Sequence, residues 1–241
     1  MMQVAALSGC SISFDFRKGE EMKSVLLDVD GTLIEDGTWS ALIEQLLEDG
    51  LGRSIQLRQC LHELHDPGFR GMAAVAKYIP IALEDVTARE FREAQERAYR
   101  RIKFLPFSSR LSLLLASFEV RVTLVSGGPK YLVEMIGRSF NAASVHGSVF
   151  DARESRFAKL IDSKEKKEEV ALAEIYTGGI RFMKSIAMGN GTNDIGILKR
   201  VRFPIALEPS NALNRKALDS GWPILDRDDV VDHFTGLLHS L

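Results

Sequence analysis

VLLDVDGTLIEDG, residues 25–37, is the stretch that decides the fold. It begins with a short apolar run, which predicts a buried strand, and continues into two aspartates and the turn-forming pair Gly31 and Thr32. Asp28 and Asp30 are two residues apart, so on an extended strand their side chains point to the same side. Two like charges at the end of a buried strand repel one another, and the site must therefore contain something that stabilises them.

The composition is that of an ordinary globular protein. The 241 residues are 45% hydrophobic and 27% charged, with a formal net charge of −2. One domain, or a core with an inserted lobe, fits this length better than two equal domains. A charge so close to zero gives no reason to expect a nucleic acid or an anionic membrane as a partner.

The cysteines and the N-terminal segment bear on location. Cys10 and Cys60 are the only cysteines and form no disulfide framework, which favours a reducing, cytoplasmic environment. No run of 18 apolar residues is present, so no membrane-spanning helix is expected. Residues 1–21 are interpreted as an N-terminal extension, because the sequence from Met22 leads directly into the first strand.

Hydrophobic periodicity predicts strands that alternate with helices over most of the chain. Strands are predicted at 120–126, 143–147, 184–189, 203–207 and 222–225. Helices are predicted at 111–118, 131–140, 163–176, 194–201, 212–218 and 228–238. This alternation is typical of an α/β fold with a Rossmann-like, mostly parallel sheet and helices on both faces.

Four consecutive helices are predicted between the first two core strands, at 38–50, 52–66, 68–79 and 87–104. The third is expected to end at Pro80, and the fourth to begin with a capping box from Thr87 to Glu90. The predicted organisation is a core domain of residues 22–35 and 107–241 that carries an inserted helical cap of residues 36–106.

Residues capable of chemistry follow three of the predicted strands. Asp28 follows the first strand, Ser126 ends the second, and Gly189 ends a third and opens the loop GNGTND, residues 189–194. In parallel sheets ligands bind outside the carboxyl ends of the strands, so we expect these residues to face one crevice. Carboxylates beside groups that can hold phosphate imply a bridging cation, and Mg²⁺ takes such oxygen ligands.

These motifs, in this order, resemble those of the haloacid dehalogenase superfamily. They are DVDGTL at 28–33, a strand ending in SGG at 126–128, a lysine within 164–167, and GNGTND at 189–194. Helices placed between the first two motifs resemble the branch of that superfamily with a C1 cap, which includes phosphoserine phosphatases.

The resemblance implies a Mg²⁺-dependent phosphatase that hydrolyses a small phosphorylated metabolite through an aspartyl-phosphate. Asp28 would be the nucleophile, and Asp30 would act as general acid and then as general base. The residues that would hold the phosphate are Thr32, Ser126, Gly127, Lys167 and Asn193. The residues that would bind the metal are Asp28, Asp30, Asn190 and Asp194.

The identity of the phosphate-binding lysine is open, because Lys164, Lys166 and Lys167 are all candidates. We favour Lys167, since Val170 and Leu172 then fall where the buried face of the helix should begin. Lys164 is the second choice.

Asn190 departs from the pattern of the superfamily, in which most relatives have a metal-binding aspartate at this place. An amide oxygen can ligate Mg²⁺ but brings no charge. Removing one unit charge at about 4 Å forfeits roughly 4 kcal/mol of attraction at an effective dielectric constant of about 20. We therefore expect an active phosphatase with a high Mg²⁺ requirement, in which Asp194 compensates in part.

The sequence does not determine the substrate. Phosphoserine phosphatases of this branch carry a glutamate just after the first motif, which receives the substrate ammonium. The corresponding position here is Gly37, with Glu35 and Asp36 offset from it, and this argues against phosphoserine. Trp39 is expected either to line the pocket entrance or to pack inside the helical region.

Three alternatives to a phosphatase are weighed. A metal-free dehalogenase would not need Asp30. A phosphotransferase would use the same aspartyl-phosphate with an acceptor other than water. A protein that binds a phosphorylated ligand for regulation would keep the fold while Asn190 weakens turnover. A homodimer is left open.

Overall fold

One sheet of seven strands forms the centre of the computed structural model, which describes residues 23–65, 71–177 and 180–241. In chain order the strands are β1 Ser24–Leu27, β2 Arg121–Pro129, β3 Ser144–Asp151, β4 Arg156–Lys159, β5 Ser185–Gly189, β6 Phe203–Leu207 and β7 Ile224–Leu225. Their spatial order is β4-β3-β2-β1-β5-β6-β7. Neighbouring strands are parallel except β3 and β4, which are antiparallel.

The described residues also form ten α-helices. Five lie between β1 and β2, and the first four of these are α1 Thr38–Glu48, α2 Ser54–His65, α3 Gly71–Ala82 and α4 Ala88–Tyr99. The others are α5 Ser108–Ser117, α6 Lys130–Arg138, α7 Lys164–Tyr176, α8 Ile195–Leu198, α9 Asn211–Ser220 and α10 Val230–Ser240. The predicted extension at 1–21 and the start of the predicted helix at 68–79 lie outside the described residues.

Strand β1 shows how the sheet is covered. Val25 and Leu27 pack into a core cluster that contains side chains of α5, α6 and α10. Leu26, which points the opposite way, packs into another cluster with side chains of α7, α8 and α9. A strand buried on both faces reads as a continuous apolar run, and the predicted α/β fold with helices on both faces of a mostly parallel sheet is confirmed.

Helices α1 to α4, called here the helical lobe, enclose a core of their own that includes Leu42, Leu46, Leu57 and Ile79. The capping box that begins α4 is present, since Thr87 and Glu90 exchange hydrogen bonds between side chain and backbone. The four predicted helices are therefore present in the described residues, and the boundaries 36–106 of an inserted cap stay a prediction.

The predicted end of the third helix was wrong, because α3 runs through Pro80 to Ala82. Proline inside a helix costs about 3 kcal/mol. Ile79, Ala82 and Leu83 are all fully buried in the lobe, and each large aliphatic side chain buried contributes about 1.5–3 kcal/mol. Burial of the last turn therefore outweighs the local cost of the proline.

Strand β4 was not predicted, and it makes an antiparallel hairpin with β3. Its four residues contain one large apolar side chain, Phe157, which gives too short a pattern to distinguish a strand from a loop. Phe157 packs edge-on against Phe150 of β3 and against Trp39 of α1, with ring centroids 5.3 and 5.9 Å apart. The hairpin thus joins the helical lobe to the sheet.

No helix among the described residues is long and apolar enough to cross a membrane.

A polar cluster attaches α7 to the amino ends of β2 and β3. Oε1 of Glu174 accepts a hydrogen bond from Ser144 at 2.6 Å and lies 2.7 Å from His146 Nε2. The guanidinium of Arg121 lies 3.7 Å from the other Glu174 oxygen. Burial by itself raises the pKa of Glu174. Its hydrogen bonds with Ser144 and His146 and the charges of His146 and Arg121 lower the pKa by more, so the net pKa lies below the ordinary value.

Glu174→Gln should therefore destabilise the protein at pH 7 by about 1–3 kcal/mol, because it removes a buried charged acceptor. A carboxyl whose pKa is lowered in the folded state stabilises the fold above its unfolded pKa, and this contribution is lost as the pH falls through the folded pKa. Urea unfolding from neutral to acidic pH should show the deficit of the variant constant above about pH 5 and shrinking below it. Glu169→Gln, an exposed change on the same helix, is the control, and a deficit independent of pH would contradict the assignment.

Candidate active site

The predicted site residues other than Asn193 meet near the carboxyl ends of β1, β2 and β5, and β2 continues past the predicted end at Ser126 to Pro129. Asp28 directly follows β1, and its backbone N–H donates to the Met188 carbonyl of β5 at 3.0 Å. Because β1 pairs with β2 on one side and β5 on the other, Asp28 lies between the two neighbouring strand ends. The carboxyl ends of the parallel strands therefore bring the predicted motifs together, as expected for an α/β sheet.

Lys167 is the centre of the charged part of the site. Its Nζ donates to Oδ1 of Asp28 and to Oδ1 of Asp194, in each case at 2.5 Å. The three side chains are at most 4% exposed. Burial alone lowers the pKa of Lys167, but the charges of Asp194 and Asp28 raise it more, so the pKa is above its ordinary value and the lysine stays charged.

The other two candidate lysines lie on the surface of the same helix. Lys164 and Lys166 are half exposed, and they pair with Glu165 and Glu169 of α7. The structure therefore places Lys167, the lysine favoured from the sequence, beside Asp28.

Asp194 holds Lys167 and the loop after β5 at the same time. Its Oδ2 accepts the backbone N–H groups of Asn190 and Gly191 at 3.0 and 2.7 Å, while Oδ1 accepts Lys167. Burial and the nearby charge of Asp28 raise the pKa of Asp194, and Lys167 opposes this effect. Both oxygens of Asp194 are thus engaged within the protein.

Asp28 and Asp30 are held by different partners. Oδ2 of Asp28 accepts the Thr32 hydroxyl at 2.8 Å, so both of its oxygens are hydrogen-bonded. Oδ1 of Asp30 accepts the backbone N–H of Thr38 at 2.5 Å, and Oδ2 accepts the Ser126 hydroxyl at 2.8 Å. Burial, and then the charge of Asp28, raise the pKa of Asp30 above its ordinary value. The two carboxylates therefore differ in electrostatic environment.

The segment Ser126–Gly128 closes the site on the β2 side. The Ser126 hydroxyl accepts the backbone N–H of Gly128 at 2.8 Å. The Gly127 carbonyl accepts hydrogen bonds from the Trp39 indole at 3.0 Å and from the Ser148 hydroxyl at 2.7 Å. A Cβ at Gly128 would lie 2.0 Å from the Thr38 hydroxyl, so only glycine allows this approach of lobe and core.

Asn190 lies against the loop that carries the two aspartates. Its amide nitrogen is 2.1 Å from the place a Cβ at Gly31 would occupy, and Gly31 has a φ of +75°. Glycine is therefore required at position 31 for both its conformation and this contact. The Asn190 side chain is therefore next to the backbone that directly follows Asp30.

The donor set fits a magnesium ion in its chemistry. Asp28, Asp30 and Asn190 offer only oxygen donors, which Mg²⁺ prefers, and this ion keeps several waters. In residues 23–65, 71–177 and 180–241 no three His, Cys, Asp or Glu side chains are grouped to hold a metal ion. The third protein donor would be the Asn190 amide, which adds no charge.

Asn193 is the predicted site residue that the structure leaves outside this network. It lies on the short 3₁₀ turn Thr192–Asp194, and its side-chain oxygen is beside Gly191. No hydrogen bond in the described part of the chain joins Asn193 to Asp28, Asp30 or Ser126. Its role as a phosphate ligand stays a prediction.

Three hydrogen-bond donors that shape the site were not predicted from the sequence. They are the backbone N–H of Thr38, the Ser148 hydroxyl and the indole N–H of Trp39, whose ring was expected at the pocket entrance or packed inside the helical region. Thr38 acts through its backbone, which no side-chain motif reports. Ser148 is an isolated serine. Trp39 is only 3% exposed. A buried tryptophan usually finds a hydrogen-bond partner for its N–H, and this tendency was the one available signal for the bond to Gly127.

Comparison with known proteins identifies the family. The family model for haloacid dehalogenase-like hydrolases matches residues 25–199, which include every residue of the charged network described above. The chain belongs to this family. No curated protein sequence matches the chain significantly.

Several solved structures share the fold at low sequence identity. One is a phospho-aspartyl intermediate analogue of phosphoserine phosphatase, 18% identical with a TM-score of 0.68, covering 89% of this chain and 99% of that one. A protein of unknown function from Bordetella pertussis Tohama I is 18% identical with a TM-score of 0.70, covering 86% and 99%. A phosphoserine phosphohydrolase-like protein from Francisella tularensis subsp. tularensis SCHU S4 is 18% identical with a TM-score of 0.58, covering 85% and 95%.

Lys167→Met should lower the free energy of unfolding by about 3–5 kcal/mol, because it leaves two buried carboxylates without their cation. Lys166→Met removes an exposed lysine one residue away and should change it by less than about 1 kcal/mol. Urea unfolding of both variants at neutral pH measures the difference. Equal effects of the two changes would show that the lysine does not neutralise the site.

Proposed function

We propose that the protein is a Mg²⁺-dependent phosphatase that hydrolyses a small phosphomonoester through an aspartyl-phosphate on Asp28. The observation that carries this proposal is the placement of Asp28, whose two oxygens receive a buried lysine and a hydroxyl at a strand end. A carboxylate whose two oxygens are oriented by Lys167 and Thr32 is a positioned nucleophile. A similar solved structure represents a phospho-aspartyl intermediate of phosphoserine phosphatase, which agrees with the same chemistry in a related fold.

In the first step a carboxylate oxygen of Asp28 attacks phosphorus, and the bond from phosphorus to the leaving oxygen breaks. Lys167 remains on Oδ1 and compensates negative charge, while the Thr32 hydroxyl turns from Oδ2 to a phosphate oxygen. Asp30 gives its proton to the leaving oxygen, and its raised pKa favours the protonated form that this step needs.

In the second step Asp30, now ionised, takes a proton from the incoming water. The water oxygen attacks phosphorus, the bond to Asp28 breaks, and inorganic phosphate leaves with Asp28 restored. Ser126, already hydrogen-bonded to Asp30, is placed to donate to a phosphate oxygen when that carboxyl is protonated. The backbone N–H of Gly127 would donate to the same phosphate group.

Asp28, Asp30 and Asn190 would hold Mg²⁺, which would neutralise charge on the phosphate oxygens. We assign Asp194 to the positioning of Lys167, because its Oδ1 accepts the lysine while its Oδ2 fixes the backbone N–H groups of Asn190 and Gly191. Its contribution to the metal site, as predicted from the sequence, stays a prediction.

The substrate proposed is a phosphomonoester without an ammonium group near the phosphate. Gly37 is the residue before helix α1, and the adjacent Thr38 binds Asp30, so this position borders the site. Glu35 and Asp36, the nearby carboxylates, are exposed. No acidic side chain in this segment therefore lies buried where it would receive a substrate amine.

The proposal is tested by measuring the release of inorganic phosphate across a Mg²⁺ titration. The substrates are p-nitrophenyl phosphate and a panel of small phosphomonoesters. We expect metal-dependent turnover, with phosphoserine slower than phosphomonoesters that lack an amine. Asp28→Asn, which keeps the shape of the side chain, should abolish turnover because the amide cannot form the acyl phosphate. Binding of a phosphorylated ligand without turnover at any Mg²⁺ concentration would instead favour a regulatory protein, the function that Asn190 would suit.

Asn190→Asp should lower the Mg²⁺ concentration that gives half-maximal rate by about tenfold or more, because a carboxylate in place of the amide adds attraction to the cation. The side chain is isosteric and fits the same contact with Gly31. Asn193→Asp, which places the same charge on the neighbouring turn, is the matched control. An unchanged Mg²⁺ requirement in Asn190→Asp would show that residue 190 is not a ligand.

A further inference from the structure

Trp39 joins the helical lobe to the backbone of the site. It lies in the first turn of α1 and is only 3% exposed. Its indole N–H nevertheless donates to the core, at 3.0 Å to the carbonyl of Gly127. Tryptophan has this single donor, so the bond selects one orientation of the ring.

The bond fixes a peptide plane that leads to Asp30. The Gly127 carbonyl and the Gly128 N–H belong to the same planar peptide group. That N–H donates to the Ser126 hydroxyl at 2.8 Å, and the hydroxyl donates to Oδ2 of Asp30 at 2.8 Å. A rotation of the plane would therefore move both hydrogen bonds that orient Ser126.

Helix α1 closes this chain of bonds into a ring. Thr38, the residue before Trp39, donates its backbone N–H to Oδ1 of Asp30 at 2.5 Å. Trp39 and Thr38, two consecutive residues of the lobe, thus bind the two ends of this series of hydrogen bonds. Trp39 binds the Gly127 carbonyl, and Thr38 binds the Asp30 carboxylate. Neither contact is possible unless the start of α1 lies against the core.

Two contacts from the hairpin side support the same arrangement. The Ser148 hydroxyl donates to the Gly127 carbonyl at 2.7 Å and accepts the Ile161 N–H at 3.0 Å. The ring of Phe157 packs edge-on against Trp39, with centroids 5.9 Å apart. The indole is therefore held by packing as well as by its hydrogen bond.

We propose that Trp39 is a positioning residue, which sets the Ser126–Gly128 segment and the Asp30 carboxyl in the geometry that receives a phosphate group. The inference rests on the proposed phosphatase function and assigns the residue no contact with the substrate. Trp39 acts through the Gly127 carbonyl, so its loss should weaken phosphate binding without removing any group that touches phosphate.

The first test compares two phenylalanine substitutions at the only two tryptophans of the chain. Trp39→Phe keeps an aromatic ring against Phe157 and removes the N–H. It should weaken the binding of inorganic phosphate about fivefold, as measured by titration calorimetry at saturating Mg²⁺, which is the effect of one net hydrogen bond. Trp222→Phe, which packs in the separate core cluster under α9, should leave the affinity unchanged. Wild-type affinity in a folded Trp39→Phe would overturn the proposal.

The second test leaves Trp39 in place and so does not depend on the folding of its variant. Trp222→Phe leaves Trp39 as the single source of indole fluorescence. Addition of inorganic phosphate should change this emission, with the same half-saturation as the calorimetric titration. An unchanged emission while phosphate binds would show that the Gly127 carbonyl does not transmit occupancy to the indole, and would overturn the proposal.

Failure of the proposed function would give a different result. In that case inorganic phosphate would bind neither to the wild type nor to Trp222→Phe, and no phosphomonoester would be hydrolysed. This outcome would remove the phosphate site and the positioning role together. Turnover that persists with unaltered emission and with unaltered phosphate affinity in Trp39→Phe would remove the positioning role alone.

Discussion

The site depends on one buried cation between two buried carboxylates. Lys167 enters from α7, Asp28 from the end of β1, and Asp194 from the loop after β5. Taking these charges out of water costs several kcal/mol for each ion, and only close pairing with further hydrogen bonds offsets this. The Thr32 hydroxyl and the N–H groups of the loop supply those bonds. Because three separate elements share one ion network, none can shift without leaving a charge uncompensated.

The two carboxylates at the strand end acquire different chemistry from their neighbours. Asp28 is tied to the core by the Lys167 cation, which donates to its Oδ1. Asp30 is buried next to that charge, and its hydrogen bonds come from Ser126 and from the first turn of the helical lobe. In the proposed function, this difference in surroundings gives the role of nucleophile to Asp28 and the role of acid to Asp30. The lobe therefore takes part in the electrostatics of the site as well as enclosing it.

Sequence patterns predicted the α/β fold and the meeting of the strand ends, because long apolar runs and strand–helix alternation are properties of the chain itself. They also selected Lys167, since the helical period places it on the buried side of α7. The course of α3 through Pro80 and the hairpin with β4 were not predictable in this way. Both are stabilised by tertiary burial, of Ile79 and Leu83 in the lobe and of Phe157 against its neighbours. The indole bond of Trp39 likewise joins residues 88 positions apart, which no local pattern contains.

The fold and the proposed chemistry depend on different parts of Asn190, the fold on its backbone and the chemistry on its side chain. The fold uses the backbone of residue 190, whose N–H binds Asp194 and whose carbonyl accepts the Ser210 N–H at 2.9 Å. Neither contact depends on whether the side chain is an amide or a carboxylate. The side chain instead lies against Gly31, the residue that directly follows Asp30. A carboxylate there would add repulsion to a site that already contains like charges, unless a cation were bound. The amide therefore avoids this repulsion in the metal-free site, and under the proposed function it would also weaken the attraction for Mg²⁺.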